Sequence, residues 1–164
     1  MRILCIALIL FMLSGCGQQT VWETVNDPWI EVEAACREVE VQLPPEAALP
    51  VLQNPEEGEL YICDGYTLMV QTFNGGDLEA TIQKLTGFSK KELACIQSQK
   101  GVIKRYLCAW SAVGEEGDQV ARAVILDDGS YHYTVSVMAD STDVGALAQK
   151  WQSLLNSVNL TDIG

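Results

Sequence analysis

This 164-residue chain has little of several things: one histidine, ten Lys+Arg against 22 Asp+Glu, and no apolar run longer than the stretch Ile3 to Leu13. The shortage of cations leaves a formal net charge of −12 and excludes nucleic acid as a partner, because binding to phosphate chains rests on clustered Lys and Arg. A lone imidazole cannot form a histidine metal cluster, and neither G-x-S-x-G nor C-x-x-C occurs anywhere. No segment reaches the ~18 uninterrupted apolar residues that a membrane-crossing helix requires. What is present is 18.0 kDa of chain, 48% hydrophobic. That suffices for one compact domain and is too apolar for a disordered tail.

The N-terminus reads Met1-Arg2, the apolar run, then Leu13-Ser14-Gly15-Cys16. A cationic start, a short apolar stretch and small residues before a cleavage point make a secretory signal. As a helix this stretch spans only about 16 Å at ~1.5 Å per residue, too short for a ~30 Å hydrocarbon core. Leu13 to Cys16 resembles the lipobox of bacterial lipoproteins. The resemblance implies that residues 1–15 are cleaved and that Cys16 carries a thioether-linked diacylglycerol. Residues 16–29 would then be a lipidated tether, 30–160 the folded domain, and 161–164 a tail. Removing residues 1–15 leaves nine cations against 22 acids, a net −13. An acidic domain gains nothing from an anionic bilayer, so the lipid on Cys16 must do the holding, and two acyl chains suffice. The expected location is the extracytoplasmic face of the cell membrane, with the bilayer and an unidentified envelope protein as partners.

Cys5 leaves with the signal, so four cysteines remain for the folded part: Cys36, Cys63, Cys95 and Cys108. Outside the cytosol an even set reads first as disulfides, with three connectivities. A turn centred on Gly101-Val102 places Cys95 opposite Cys108; Cys36 and Cys63 are further disulfide candidates, with buried free thiols as the alternative. The spacings fit no zinc or redox pattern, and no metal or cofactor is expected.

Alternation of apolar and polar residues predicts strands at 30–34, 39–43, 60–63, 66–73, 93–99, 103–113, 119–126 and 131–138. Residues 44–59, with four of the five prolines, read as a loop. Asp77 and Gly87 bracket one helix, and Asp140 to Asp143 precede a second with an apolar stripe through Leu147, Trp151 and Leu154. The fold class is therefore α+β: an antiparallel sheet of about 5–7 strands covered by helices at about 77–86 and 143–158.

A two-residue turn at Asp128-Gly129 pairs Leu126 with Tyr131 and Val124 with Tyr133. It puts Val120, Arg122, Val124 and Leu126 on the core face. His132 then falls on the opposite face as a strand-surface histidine, and Asp127-Asp128 is a solvated turn. Arg122, a cation on an apolar face, reads first as one half of a salt bridge and second as an anion or ligand contact. Six of the nine mature cations, Lys84 to Arg105, fall within 22 residues, and read first as an offset to the acidic N-terminal half and second as a modest docking face.

No catalytic constellation emerges, so a non-catalytic binding or accessory protein is expected. The alternatives are an extracytoplasmic hydrolase or thiol enzyme built on His132 or a cysteine, and a small-ligand carrier. The segment Tyr131 to Ala139, followed by a helix ending Leu154-Leu155-Asn156-Ser157-Val158-Asn159-Leu160, resembles the C-terminal end of PsbP-like domains. In those domains a last strand leads to a long helix and a short closing segment. Val158 stands where they often carry Phe. The resemblance implies binding or assembly rather than catalysis.

Overall fold

A chain of alternating strands and few helices must decide which strands neighbour one another, and here one sheet takes nearly all of them. The computed structural model describes residues 36–54, 57–113 and 117–161, all within one compact unit, Ala34–Gly164. The signal segment, Cys16, the tether, the expected strand at 30–34 and the end of the tail lie outside the described residues.

The strands are β1 (Val39–Glu40), β2 (Leu52–Asn54), β3 (Gly58–Cys63), β4 (Tyr66–Asn74), β5 (Ala94–Lys100), β6 (Ile103–Val113), β7 (Asp118–Asp127), β8 (Tyr131–Asp140) and β9 (Asn159–Leu160). Helix α1 is Leu78–Thr86 and α2 is Val144–Ser157, with one 3-10 turn at Lys90–Glu92. Strands β2 to β8 form a seven-stranded sheet in the order β2-β3-β4-β8-β7-β6-β5, and β1 pairs with β9 in a separate ribbon. Every pairing is antiparallel. Strand β2 lies inside the stretch expected to be loop. The strand expected at 39–43 shrinks to the two residues that β9 can pair.

Both faces of the sheet are packed. On one, Val124, Leu126, Tyr133, Val135 and Val137 meet Leu147, Trp151, Leu154 and Leu155 of α2 in a single core. On the other, Ile82 of α1 packs with Tyr106, Cys108 and Ile125, while Leu85, Phe88 and Leu93 surround Trp110, Ala121 and Ala123. The second face, expected to carry His132 at the surface, is thus half of a double-sided sheet. Its small residues Ala121 and Ala123 leave room for a bulky layer above them.

Local chemistry explains the element ends. The Asp77 carboxylate accepts from Glu79 N at 3.0 Å at the start of α1, and Gly87, at φ 79°, supplies the left-handed stop. The β7–β8 turn differs from expectation by one step. The Asp127 carboxylate accepts from Gly129 N, and that of Asp128 accepts from Ser130 N and Tyr131 N. These bonds move the turn to Gly129-Ser130, so Leu126 faces Tyr133 and Val124 faces Val135. The slip totals two residues and so leaves every side chain on its expected face.

Candidate functional site

Gly101, at φ 61°, lets β5 and β6 join through the two residues Gly101-Val102, with Lys100 opposite Ile103. Cys95 then lies opposite Cys108, and the two form a disulfide with a Cα separation of 4.3 Å. Cys36 and Cys63 form no second disulfide: Cys36 is an exposed free thiol and Cys63 a buried one, the free-thiol alternative. Cys63 lies opposite Tyr66, whereas Arg37 N donates to the Tyr133 hydroxyl, and Tyr133 lies opposite Thr72. Six residues along β4 amount to about 20 Å at ~3.3 Å each, far beyond the Cα reach of a disulfide. Burial pushes the Cys63 thiol pKa up, away from reactivity.

The β5–β6 turn overhangs the end of α2, and between them lies a cavity of about 510 Å³. Ile103, Leu126, Val158 and Leu160 give it an apolar floor, Ser98, Gln99 and Asn159 a polar rim, and Arg37, Lys100 and Arg105 its charge. No acidic side chain lines it among the described residues. Arg105 is placed by strand alternation on the α2 face and donates to Leu155 O at 2.5 Å and Val158 O at 3.0 Å. Those carbonyls are among the last of the helix, where acceptors lack partners and the dipole is negative.

Arg37 arrives from the other side. Its Nε lies 3.5 Å from Asp128 Oδ2, and Tyr133 Oη donates to the same oxygen at 3.1 Å. Burial pushes Asp128 up, but Tyr131 N, Ser130 N, the Tyr133 hydroxyl and Arg37 outweigh it and hold the carboxyl below its ordinary value. Arg37 also lines a second cavity of about 670 Å³, shared with Glu38, Glu59, Val70 and Thr72. Here Tyr61 donates to Glu59 at 2.7 Å, and burial followed by that bond pushes the phenol up to about 12. Another cavity, of about 330 Å³, lies beside Lys150.

Arg122 is half-buried, forms no ion pair with a described residue, and lines none of these three cavities. The arginine that bonds the end of α2 is Arg105. The argument applied to Arg122, a cation on an apolar face, points equally to Arg105 between Ile103 and Leu107. Arg37 carries no such signal, because its position depends on pairing between distant segments. The basic cluster disperses: Lys84 stacks over Phe73, Lys90 over Tyr106, and Lys104 pairs with Asp127 at 3.6 Å. Only Lys100 and Arg105 of the six reach the 510 Å³ cavity.

His132 is buried at 2% exposure rather than on a strand surface, because α1 lies over that face. Its Nδ1 is 2.7 Å from Thr81 Oγ1 and its Nε2 is 3.9 Å from Asp127 Oδ1. Asp127 is likewise buried, at 8%, and is not a solvated turn residue. Among the described residues, no three His, Cys, Asp or Glu side chains converge to hold a metal ion. No helix among them is long and apolar enough to cross a membrane.

No family model and no curated protein matches this chain. A solved structure does. The fold is similar to that of LpqN. That protein is described as involved in cell envelope biogenesis of Mycobacterium tuberculosis, and the superposition gives a TM-score of 0.54 over 80% of this chain and 88% of LpqN. Identity is 9%, so the likeness establishes a shared fold and leaves the chemistry to the residues of this chain.

Proposed function

We propose that the mature protein is a non-catalytic binding or accessory protein, held at the extracytoplasmic face of the membrane by lipid on Cys16. It binds through the cavity between the β5–β6 turn and the end of α2. The observation that carries the binding role is the cavity itself: about 510 Å³, with an apolar floor, a polar rim and charge of one sign. The lipobox-like Leu13-Ser14-Gly15-Cys16 supports the anchor, and the envelope setting of LpqN supports the same surroundings. The order of strand, long helix and short closing strand from Tyr131 to Leu160 supports a PsbP-like arrangement.

A hydroxyl, an imidazole and a carboxylate do line up at Thr81, His132 and Asp127. Their exposures of 4%, 2% and 8% leave a substrate no approach from the solvent, and that supports a structural role. Metabolic labelling with a fatty-acid probe tests the anchor: the wild-type protein takes up label and sediments with membranes, and Cys16→Ser does neither. An unlabelled wild-type product overturns it. Pull-down from membranes with the anchored protein, compared with Cys16→Ser, then identifies what the domain holds.

A further inference from the structure

We infer that the cavity is an oxyanion site, taking a carboxylate or phosphate group between Lys100 and Arg37. This deepens the binding role proposed above and rests on it. A chain with a net charge of −12 gathers three of its ten cations around one cavity that no described acid lines. Each of the three stands differently. Arg105 is spoken for, because its guanidinium covers the carbonyls of Leu155 and Val158, which would otherwise turn the negative end of α2 toward a ligand.

Arg37 is not satisfied. Its Nε is buried and makes no hydrogen bond, although Asp128 Oδ2 is 3.5 Å away. The Asp128 carboxylate already accepts from Ser130 N, Tyr131 N and the Tyr133 hydroxyl. The buried Nε itself is out of a ligand's reach, but the side chain is 21% exposed and lines the cavity, and a guanidinium held by one loose ion pair has N–H groups that an oxyanion can complete. Lys100, exposed at the end of β5, supplies an ammonium at the rim. The apolar floor of Val158 and Leu160 suits whatever carbon skeleton the anion carries.

The ligand's source is either a free small anion or the headgroup of an amphiphile. Calorimetric titration of the full mature chain carrying Cys16→Ser separates them, with inorganic phosphate, octyl phosphate and uncharged octyl glucoside as probes. The site is supported when octyl phosphate binds and octyl glucoside does not. Phosphate binding as well as octyl phosphate assigns a free oxyanion, and a clear preference for octyl phosphate assigns a headgroup. Lys100→Glu, at the exposed end of β5, keeps the fold by circular dichroism and weakens binding about tenfold, while Lys91→Glu, away from the cavity, changes it less than about twofold. Raising the salt from about 10 mM to 150 mM shortens the screening length from ~30 Å to ~8 Å and weakens binding further. Octyl glucoside binding as well as octyl phosphate, with no effect of Lys100→Glu, overturns the oxyanion inference and leaves the cavity as a binding site. Binding of none of the three overturns both.

Discussion

Thr81 Oγ1 lies 2.7 Å from His132 Nδ1, and this buried polar contact ties α1 to β8. Burial pushes His132 down, and Lys104 adds to that. Asp127, Asp128 and Asp77 pull the other way without restoring the ordinary value. The native imidazole is therefore neutral at a pH where the unfolded chain already takes a proton. Stability is complete above the ordinary histidine value of about 6.5 and is lost as pH falls below it toward the lowered native value. Urea denaturation at about pH 7.5 and about pH 5 shows this as a lower midpoint in acid. In His132→Gln the difference between the two shrinks. Asp128, whose carboxyl is held low, loses its contribution only as pH falls below the ordinary aspartate value of 3.8, so the two effects occupy separate windows.

Removing the Thr81 hydroxyl tests the same contact without titration. Thr81→Val leaves His132 Nδ1 buried and unpaired, and is expected to cost about 1–3 kcal/mol. A thermal melt at neutral pH that matches the wild type would show that the ring finds another partner.

The Cys95–Cys108 disulfide closes a loop with a sequence separation of 13. The Cys95→Ala/Cys108→Ala double variant should lose roughly 3 kcal/mol in the chain-entropy account. Alkylation of the native, non-reduced protein should modify Cys36 and spare buried Cys63. After denaturation without reductant, both react while Cys95 and Cys108 do not. Mass spectrometry reads each state directly.

Tyr133 is fully buried, and its hydroxyl accepts from Arg37 N at 2.9 Å while donating to Asp128. Tyr133→Phe keeps the ring in the core but orphans a main-chain N–H where the chain enters the domain. The expected loss is about 1–3 kcal/mol, measured by urea denaturation. Protection of the Arg37 amide against hydrogen exchange should fall with it.

Gly75 is required by proximity. Its N–H donates to Ser130 O at 2.8 Å, and a Cβ there would stand 2.6 Å from the Ser130 carbonyl carbon and oxygen. Gly75→Ala must push the β7–β8 turn away from the end of β4, at about 1–3 kcal/mol by analogy with overpacked cores. A lowered melting temperature is the expected readout.

Local signals carried much of this fold. Asp77 and Gly87 mark α1, the stripe through Leu147, Trp151 and Leu154 marks α2, and Gly101-Val102 sets the β5–β6 register that brings Cys95 to Cys108. Each of these is decided within a few residues by capping, periodicity or turn geometry. The faces of β7 and β8 were legible for the same reason, although the side-chain bonds of Asp127 and Asp128 shift the turn by one residue. The candidate site was not legible. Arg37 and Lys100 are 63 positions apart in sequence, and nothing local to either marks the other.

The sequence by itself determined the acidic charge, the two helices, the long strands, and the apolar faces of those strands, because hydrophobic period and capping act over one or two turns of chain. Tertiary structure decided that β8 inserts beside β4, that α1 closes over the face bearing His132, and that Arg37, Lys100 and Arg105 meet at one cavity. Those outcomes depend on which distant segments bury one another. The free energy of that burial belongs to pairs of surfaces, and no single stretch of chain encodes a pair.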